Sequence, residues 1–347
     1  MRACNHTAWL SLHGTDRTRL CHSNVLGNIV ANLDSTAAKW PSLVLLVGHS
    51  AQCTQLRRFL SKIERRAELD LTPSVRLQLD PDTSFSNFPI LLSHSQIPKK
   101  VLLAEEPVRN TPCHYNTFRD APWLSTDPVE AIDDLHHRLL LPFADVICLF
   151  ASDRDGLQSV AARIVSWSAA ERHALWHPRV LVVCTAAETR NPAEVQAQLM
   201  ATVQKLSPLI DLAIFSHISV YLVDRGGQTL KDRIRFETDV VRNARVNTHS
   251  LFSAAHLDRL FHHACDHFVS SYKHPFDPIA ASRLHRPVSK DLGICVADVL
   301  TDVNSLKELT EFAVPFIAEC LLLDNYSPDV HGLLSFPSRE FGRLTLA

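Results

Sequence analysis

Apolar residues cluster in six short runs over the first two thirds of the chain: Leu43 to Val47, Val75 to Leu79, Pro89 to Leu92, Asp145 to Phe150, Val180 to Cys184 and Ile218 to Val223. Each has strand length and ends in polar or turn-forming residues, which predicts six β-strands. Between the later runs the period changes. Pro128 to Leu141, Leu157 to Arg172 and Pro192 to Leu206 space their apolar residues three and four apart, the pattern of amphipathic helices. Strands alternating with such helices imply right-handed crossovers and a mostly parallel sheet flanked by helices. Runs that are apolar throughout fit strands buried on both sides.

The flanking segments read differently. Residues 1–40 predict a helical lead-in, with Asn24 to Leu33 carrying apolar residues at helical spacing. Between His94 and Asp127 the pattern lapses into Pro, Ser, Thr and Asn, which marks a mobile or binding loop. After Asp224 the strand signal stops, and Thr229 to Val246, Leu251 to Tyr272 and Ser305 to Leu323 predict helices, followed by a turn-rich tail. The expected organisation is a lead-in (1–40), an α/β domain (41–225) and a C-terminal helical extension with its tail (226–347). The chain shows neither internal repeats nor low-complexity tracts.

Composition narrows the partners. Lys plus Arg number 35 against 37 Asp plus Glu, so no global field draws the chain to nucleic acid or to an anionic membrane. No run approaches the roughly 20 apolar residues of a membrane span, and Met1 to Gly14, interrupted by Asn5, His6 and His13, does not read as a signal peptide. These features lead us to expect a cytoplasmic protein whose partner is another protein. Nine cysteines without a C-x-x-C pair give neither a disulfide framework nor a zinc cluster. Nine glycines are few for 347 residues, against about 24 at average usage, and phosphate-wrapping loops need glycine.

Candidate chemistry centres on SLVLLVGHSAQCTQLRRFL, Ser42 to Leu60. A strand-like run ending at Gly48 and a helix-like pattern just past Ala51 follow the order of a phosphate-binding loop. Against G-x-x-x-x-G-K-[ST], Gly48 fits, while Cys53, Thr54 and Gln55 occupy the later positions. Lysine neutralises the β- and γ-phosphates in such loops and Ser or Thr ligates Mg²⁺, so chemistry is impaired. The next lysine, Lys62, lies about 12 Å further along a helix. Two other positions agree. Ser93, His94, Ser95 and Gln96 follow the third strand where a carboxylate is expected near Mg²⁺, and Thr185, Ala186 and Ala187 follow the fifth where N-K-x-D reads guanine. A divergent GTP or ATP binder would rely on Gly48, the backbone of His49, Ser50 and onward to Cys53, with Thr54 and Gln55 behind it, and on Glu188 to accept from a purine edge.

Other constellations are weaker. GHSAQ resembles a nucleophile elbow with Ser50 as nucleophile, but Gln52 replaces the second Gly, and that fold needs several strands ahead of the elbow. His263 and His267, four apart beside His256, His262, Cys265 and Asp266, suggest a metal, although the same segment presents Leu257, Leu260, Phe261 and Phe268 as a core face. His136 and His137 read as ordinary helix residues, and Asp133 and Asp134 as an exposed face. Arg283, His285, Arg286 and Lys290 form a small basic turn.

Several phrases together resemble the P-loop NTPase (G-domain)-like region at the N-terminal end of large fungal proteins that carry a patatin-like phospholipase domain. They are PSLVLLVG from Pro41, PFADVICLF from Pro142, SLFSAAHLDRLF from Ser250, HPFDPIAASRLHRPV from His274 and ELTEFAVPFIAECLLLDNYSPDVH from Glu308. The resemblance spans most of residues 40–335 and implies a G-domain-like sheet followed by helices. The patatin G-G-G-x-R-G, G-x-S-x-G and D-G-[AG] motifs are absent from this chain, so no lipase is implied here. With Cys53, Thr54 and Gln55 where G-K-[ST] would stand, the resemblance implies a non-hydrolysing regulatory or interaction module, with no catalytic residue and no metal.

Overall fold

A computed structural model describes residues 7–14, 18–34, 36–48, 54–63, 73–96, 116–151, 156–169, 176–185, 191–223, 229–248, 250–270, 275–278, 281 and 291–318. The chain divides into two compact units, 1–277 and 278–347. The first holds nine strands: β1 (Ala8–His13), β2 (Arg19–Ser23), β3 (Ser42–Val47), β4 (Ser74–Leu79), β5 (Ile90–Gln96), β6 (Asn116–Asp120), β7 (Ala144–Phe150), β8 (Arg179–Thr185) and β9 (His217–Val223). They form one sheet in the order β6-β2-β1-β4-β5-β3-β7-β8-β9. The class is α/β, as expected. The mostly parallel arrangement is corrected: β5, β3, β7, β8 and β9 are parallel, whereas β6, β2, β1, β4 and β5 pair antiparallel.

Burial explains the parallel half. Every residue of β3 and β7 is buried, and a strand covered on both faces keeps only apolar or paired side chains. One face carries Val44, Leu46, Ile90, Leu92, Val146, Cys148, Phe150, Leu181 and Val183, packed with Leu56, Phe59 and Leu60 of α2 (Thr54–Ile63) and with Leu230 and Ile234 of α6 (Leu230–Asn247). Leu56, Phe59 and Leu60 recur at helical spacing, so α2 turns one stripe onto the sheet. From β3 the chain moves to one side of the sheet, and from β7 to the other. Right-handed crossovers therefore place α4 (Gly156–Ser168) and α5 (Pro192–Leu206) on the face opposite α2.

The antiparallel half departs from the sequence reading. Residues 8–23 form β1 and β2 in place of the helical lead-in, although α1 (Val25–Ala31) falls where helical spacing was read. β1 pairs with β4, and β6 arises within the segment expected to be a loop. The helix α7 (Ala254–Ser270) lies against this half: the Trp9 and Phe261 rings stack 4.2 Å apart, Trp123 Nε1 donates to the Phe268 carbonyl at 3.1 Å, and Arg119 pairs with Asp266 at 2.6 Å. Thus α6 and α7 belong to the compact unit, 1–277, that holds the sheet.

One buried pair links several elements. Asp145 and Arg245, with 1% and 3% of their side chains exposed, approach to 2.6 Å. Asp145 also accepts from the Leu43 backbone N–H at 3.0 Å, while Arg245 Nε and Nη2 donate to the Ser250 carbonyl. The guanidinium lies 3.8 Å from the Trp176 ring centroid, and Trp176 Nε1 donates to the Ala144 carbonyl at 2.9 Å.

Prolines shape two other helices. The helix α3 (Pro128–Asp134) widens into a π-helical stretch, Leu135–Leu140, that ends two residues before Pro142. In the second unit, which contains α8 (Leu292–Thr301), a helical segment from Leu306 widens over Leu309–Ala313, again two residues before a proline, Pro315. Proline offers no N–H and crowds the carbonyl four residues back, and a widened turn relieves both problems. Among the described residues no helix is long and apolar enough to cross a membrane.

Two stability predictions follow from this packing. Removing one partner of a buried, hydrogen-bonded ion pair strands the other, so Arg245→Leu should lower the urea unfolding free energy by roughly 3–5 kcal/mol. Adding Asp145→Asn to that variant should recover part of the loss. The second concerns His22, buried in β2 with its ring edge-on to Phe261 and His262. Burial first, and then the charges of His262 and Arg119, lower its pKa from 6.5 to about 3. The folded state holds His22 neutral while the unfolded chain takes up a proton below 6.5. The stability this provides is complete above pH 6.5 and is lost as pH falls from 6.5 toward 3, at about 1.4 kcal/mol per unit. Denaturation curves at several pH values should show His22→Phe with a shallower acid slope than the parent.

Candidate functional site

In an open α/β sheet, ligands bind beyond the carboxyl ends of the strands, where the strand order reverses direction. Here that point lies between β3 and β7. The strands flanking it end at Val47, Gln96, Phe150, Thr185 and Val223. None of these residues carries charge, and neither does Gly48 or Ala151, which continue β3 and β7.

Gly48 occupies the junction. A Cβ added there would lie 3.1 Å from Phe150 Cβ, 3.3 Å from Leu56 Cδ2 and 3.4 Å from the Phe150 carbonyl oxygen. Its φ is not positive: among the described residues Gly14 and Gly156 alone are positive-φ glycines. A side chain at Gly48 would therefore press on Phe150 and Leu56 where the end of β3 packs against β7 and α2. The notch is lined by apolar groups, with the Phe59 and Phe150 rings 6.3 Å apart beneath it. Sequence reading missed Leu56 and Phe150 as residues of this place. The available signal was their position, Phe150 ending the run that neighbours β3 and Leu56 opening the apolar stripe of α2.

The other sequence-predicted residues fall as follows. Thr54 begins α2 and is half-buried. Gln55 follows it in the helix, but its side chain lies outside the described residues, as do His49, Ser50, Cys53 and Glu188. The structure therefore brings Gly48 and the α2 N-terminus to one end of the sheet without placing Ser50 as a nucleophile or Glu188 as a base reader. Ser93, His94 and Ser95 were read as residues beyond the third strand. Instead β5 continues to Gln96, with Ser93 paired to Leu45 and His94 to Leu46, and all three are buried inside the sheet. The extension arises because β5 is held on both sides, by β3 and by β4 through residue 96.

One further helix start faces this end, while the start of α6 lies beside the β4–β5 connection, where Lys231 pairs with Asp80 and Asp82. The helix α4 begins at Gly156, whose φ of +55° suits glycine. The start of α6 is satisfied from within: Thr229 Oγ1 donates to Asp232 Oδ2 at 2.6 Å, and those hydrogen bonds hold the Asp232 carboxyl below the usual range.

The donor set does not fit a nucleoside triphosphate with magnesium. Thr54 replaces the lysine that would neutralise its phosphates, and Gln55 replaces the hydroxyl that would hold the ion. On α7, His267 is tilted against Phe276 and His262 Nδ1 lies 2.8 Å from the Asp258 carbonyl. Among the described residues no group of three or more His, Cys, Asp or Glu side chains is arranged for a metal. The basic residues Arg283, His285, Arg286 and Lys290 lie outside the described residues.

A scan against protein-family models gives no match, and neither does a search of curated proteins.

The packing at Gly48 yields a direct test. Gly48→Val inserts a branched side chain against Phe150 and Leu56 and should cost roughly 1–3 kcal/mol of stability by overpacking. Gly48→Val combined with Leu56→Ala should regain part of it in the same denaturation assay.

Proposed function

We propose that this chain is a P-loop NTPase-like module, of the kind found beside fungal patatin-like domains, that does not hydrolyse nucleotide and serves as a regulatory or interaction domain. Strand order supports this reading. Within the nine-stranded sheet, the portion β4-β5-β3-β7-β8-β9 has β4 alone reversed and α2 between β3 and β4, an order that a G-domain-like sheet would have. The observation that carries the loss of activity is the residue set itself, Thr54 and Gln55 at the start of α2 where lysine and a hydroxyl would serve phosphate and Mg²⁺. An interaction role is supported by what remains: a mixed sheet whose strand ends at the carboxyl side, among the described residues, carry no charge.

Calorimetry with GTP and ATP, each with Mg²⁺, tests the reading. The expected outcome is no binding heat at millimolar nucleotide and no phosphate release. A micromolar dissociation constant for either nucleotide would replace the proposal with that of a divergent nucleotide-binding protein.

A further inference from the structure

A sheet that is not closed has two terminal strands, and each presents unpaired N–H and C=O groups to any strand that can reach them. Here they are β6 and β9. β6 is blunted: it has five residues, NTFRD, and its two charges are engaged, Arg119 with Asp266 at 2.6 Å and Asp120 with Arg19 at 2.9 Å. β9 has none of these devices. Its seven residues, HISVYLV, match β7 in length and include no Asp, Glu, Lys, Arg, Pro or Gly. Among the described residues no strand pairs with its outer side, and α5 reaches only one carbonyl, through Gln196 Nε2 donating to Ile218 at 3.0 Å.

The side chains of β9 are also incompletely covered. Tyr221 and Val223 pack against the core cluster yet are only partly buried, and Ile218, Val220 and Leu222 are half-buried. The connection leading into β9 exposes Leu206 and Leu209, the latter almost fully.

The pattern of β9 selects its own copy as occupant. An antiparallel pair related by a two-fold axis through Val220 sets Ile218 opposite Leu222, Ser219 opposite Tyr221 and His217 opposite Val223. Apolar residues then meet apolar residues on the face of Ile218, Val220 and Leu222, and no charged side chains are opposed, which is the condition for favourable cross-strand pairs. Such an isologous contact closes on itself. We propose that two copies of this chain join along β9 about a two-fold axis at Val220, making one sheet continuous across the pair. The inference rests on the strand edge and is independent of the nucleotide-loop reading.

Sedimentation velocity and light scattering of the full chain, over a concentration series, test it. The parent protein should show twice the chain mass, and Val220→Lys should leave a monomer with an unchanged circular dichroism spectrum. A near-isosteric variant guards against misfolding: on the two-fold axis the paired Cβ atoms lie about 4.5–5.5 Å apart, so Val220→Cys in a Cys295→Ser background should form a covalent dimer with a short thiol-to-thiol cross-linker. A parent monomer at every concentration, or a dimer that survives Val220→Lys and gives no Val220→Cys cross-link, overturns the proposal. A monomer that gains mass only with an added extended peptide overturns it in favour of a foreign strand.

Discussion

The carboxylate of Asp145 is the point on which most of the first unit converges. It sits at the second position of β7 with 1% of its side chain exposed, so it must be fully satisfied or the fold pays for a stranded charge. Its partners come from distant segments: the Leu43 N–H from β3 and the Arg245 guanidinium from the last turn of α6. Arg245 then holds the Ser250 carbonyl in the connection to α7 and covers Trp176, just ahead of β8. A single ionic contact thereby sets the register of β3 against β7, the seating of α6, and the turn that sends α7 toward the antiparallel half. Hydrophobic burial supplies most of the driving force for such a sheet but is indifferent to small slides of one element over another. The directional contacts of Asp145 are not.

How much of this was legible in the sequence depends on what each strand must do. β3, β7 and β8 are read correctly because strands buried on both faces demand continuous apolar runs, and β9 carries such a run although its side chains are only partly covered. β1 and β2 are not. AWLSLH and RLCHS mix Leu with Ser and His, contain no Val or Ile, and owe their conformation to pairing with β4 and β6 and to Trp9 and His22 packing under Phe261. β6, with one aromatic residue in five, is likewise imposed by its neighbour. The overlooked end of β5 has the same origin: Ser93, His94 and Ser95 look like a polar loop, yet two flanking strands hold them in the sheet.

The candidate site shows the limits of motif reading in another way. The sequence singles out Gly48 for backbone freedom, a property its non-positive φ does not use. A glycine after a strand suggests a turn needing positive φ, and only the packed structure reveals that the missing Cβ is what matters, because Phe150 and Leu56 have closed on the position.

The ion pairs that tie down β6 have a consequence beyond local stability. A sheet with two adhesive edges can add units at both and has no natural stopping point, which is the geometry of a filament. With Arg119 and Asp120 committed to Asp266 and Arg19, β9 is, among the described residues, the edge without such charges. Any strand that adds at β9 exhausts the growth capacity of the sheet on that copy. The charges on a five-residue strand at one end of the molecule thus set a ceiling on the stoichiometry of whatever assembles at the other.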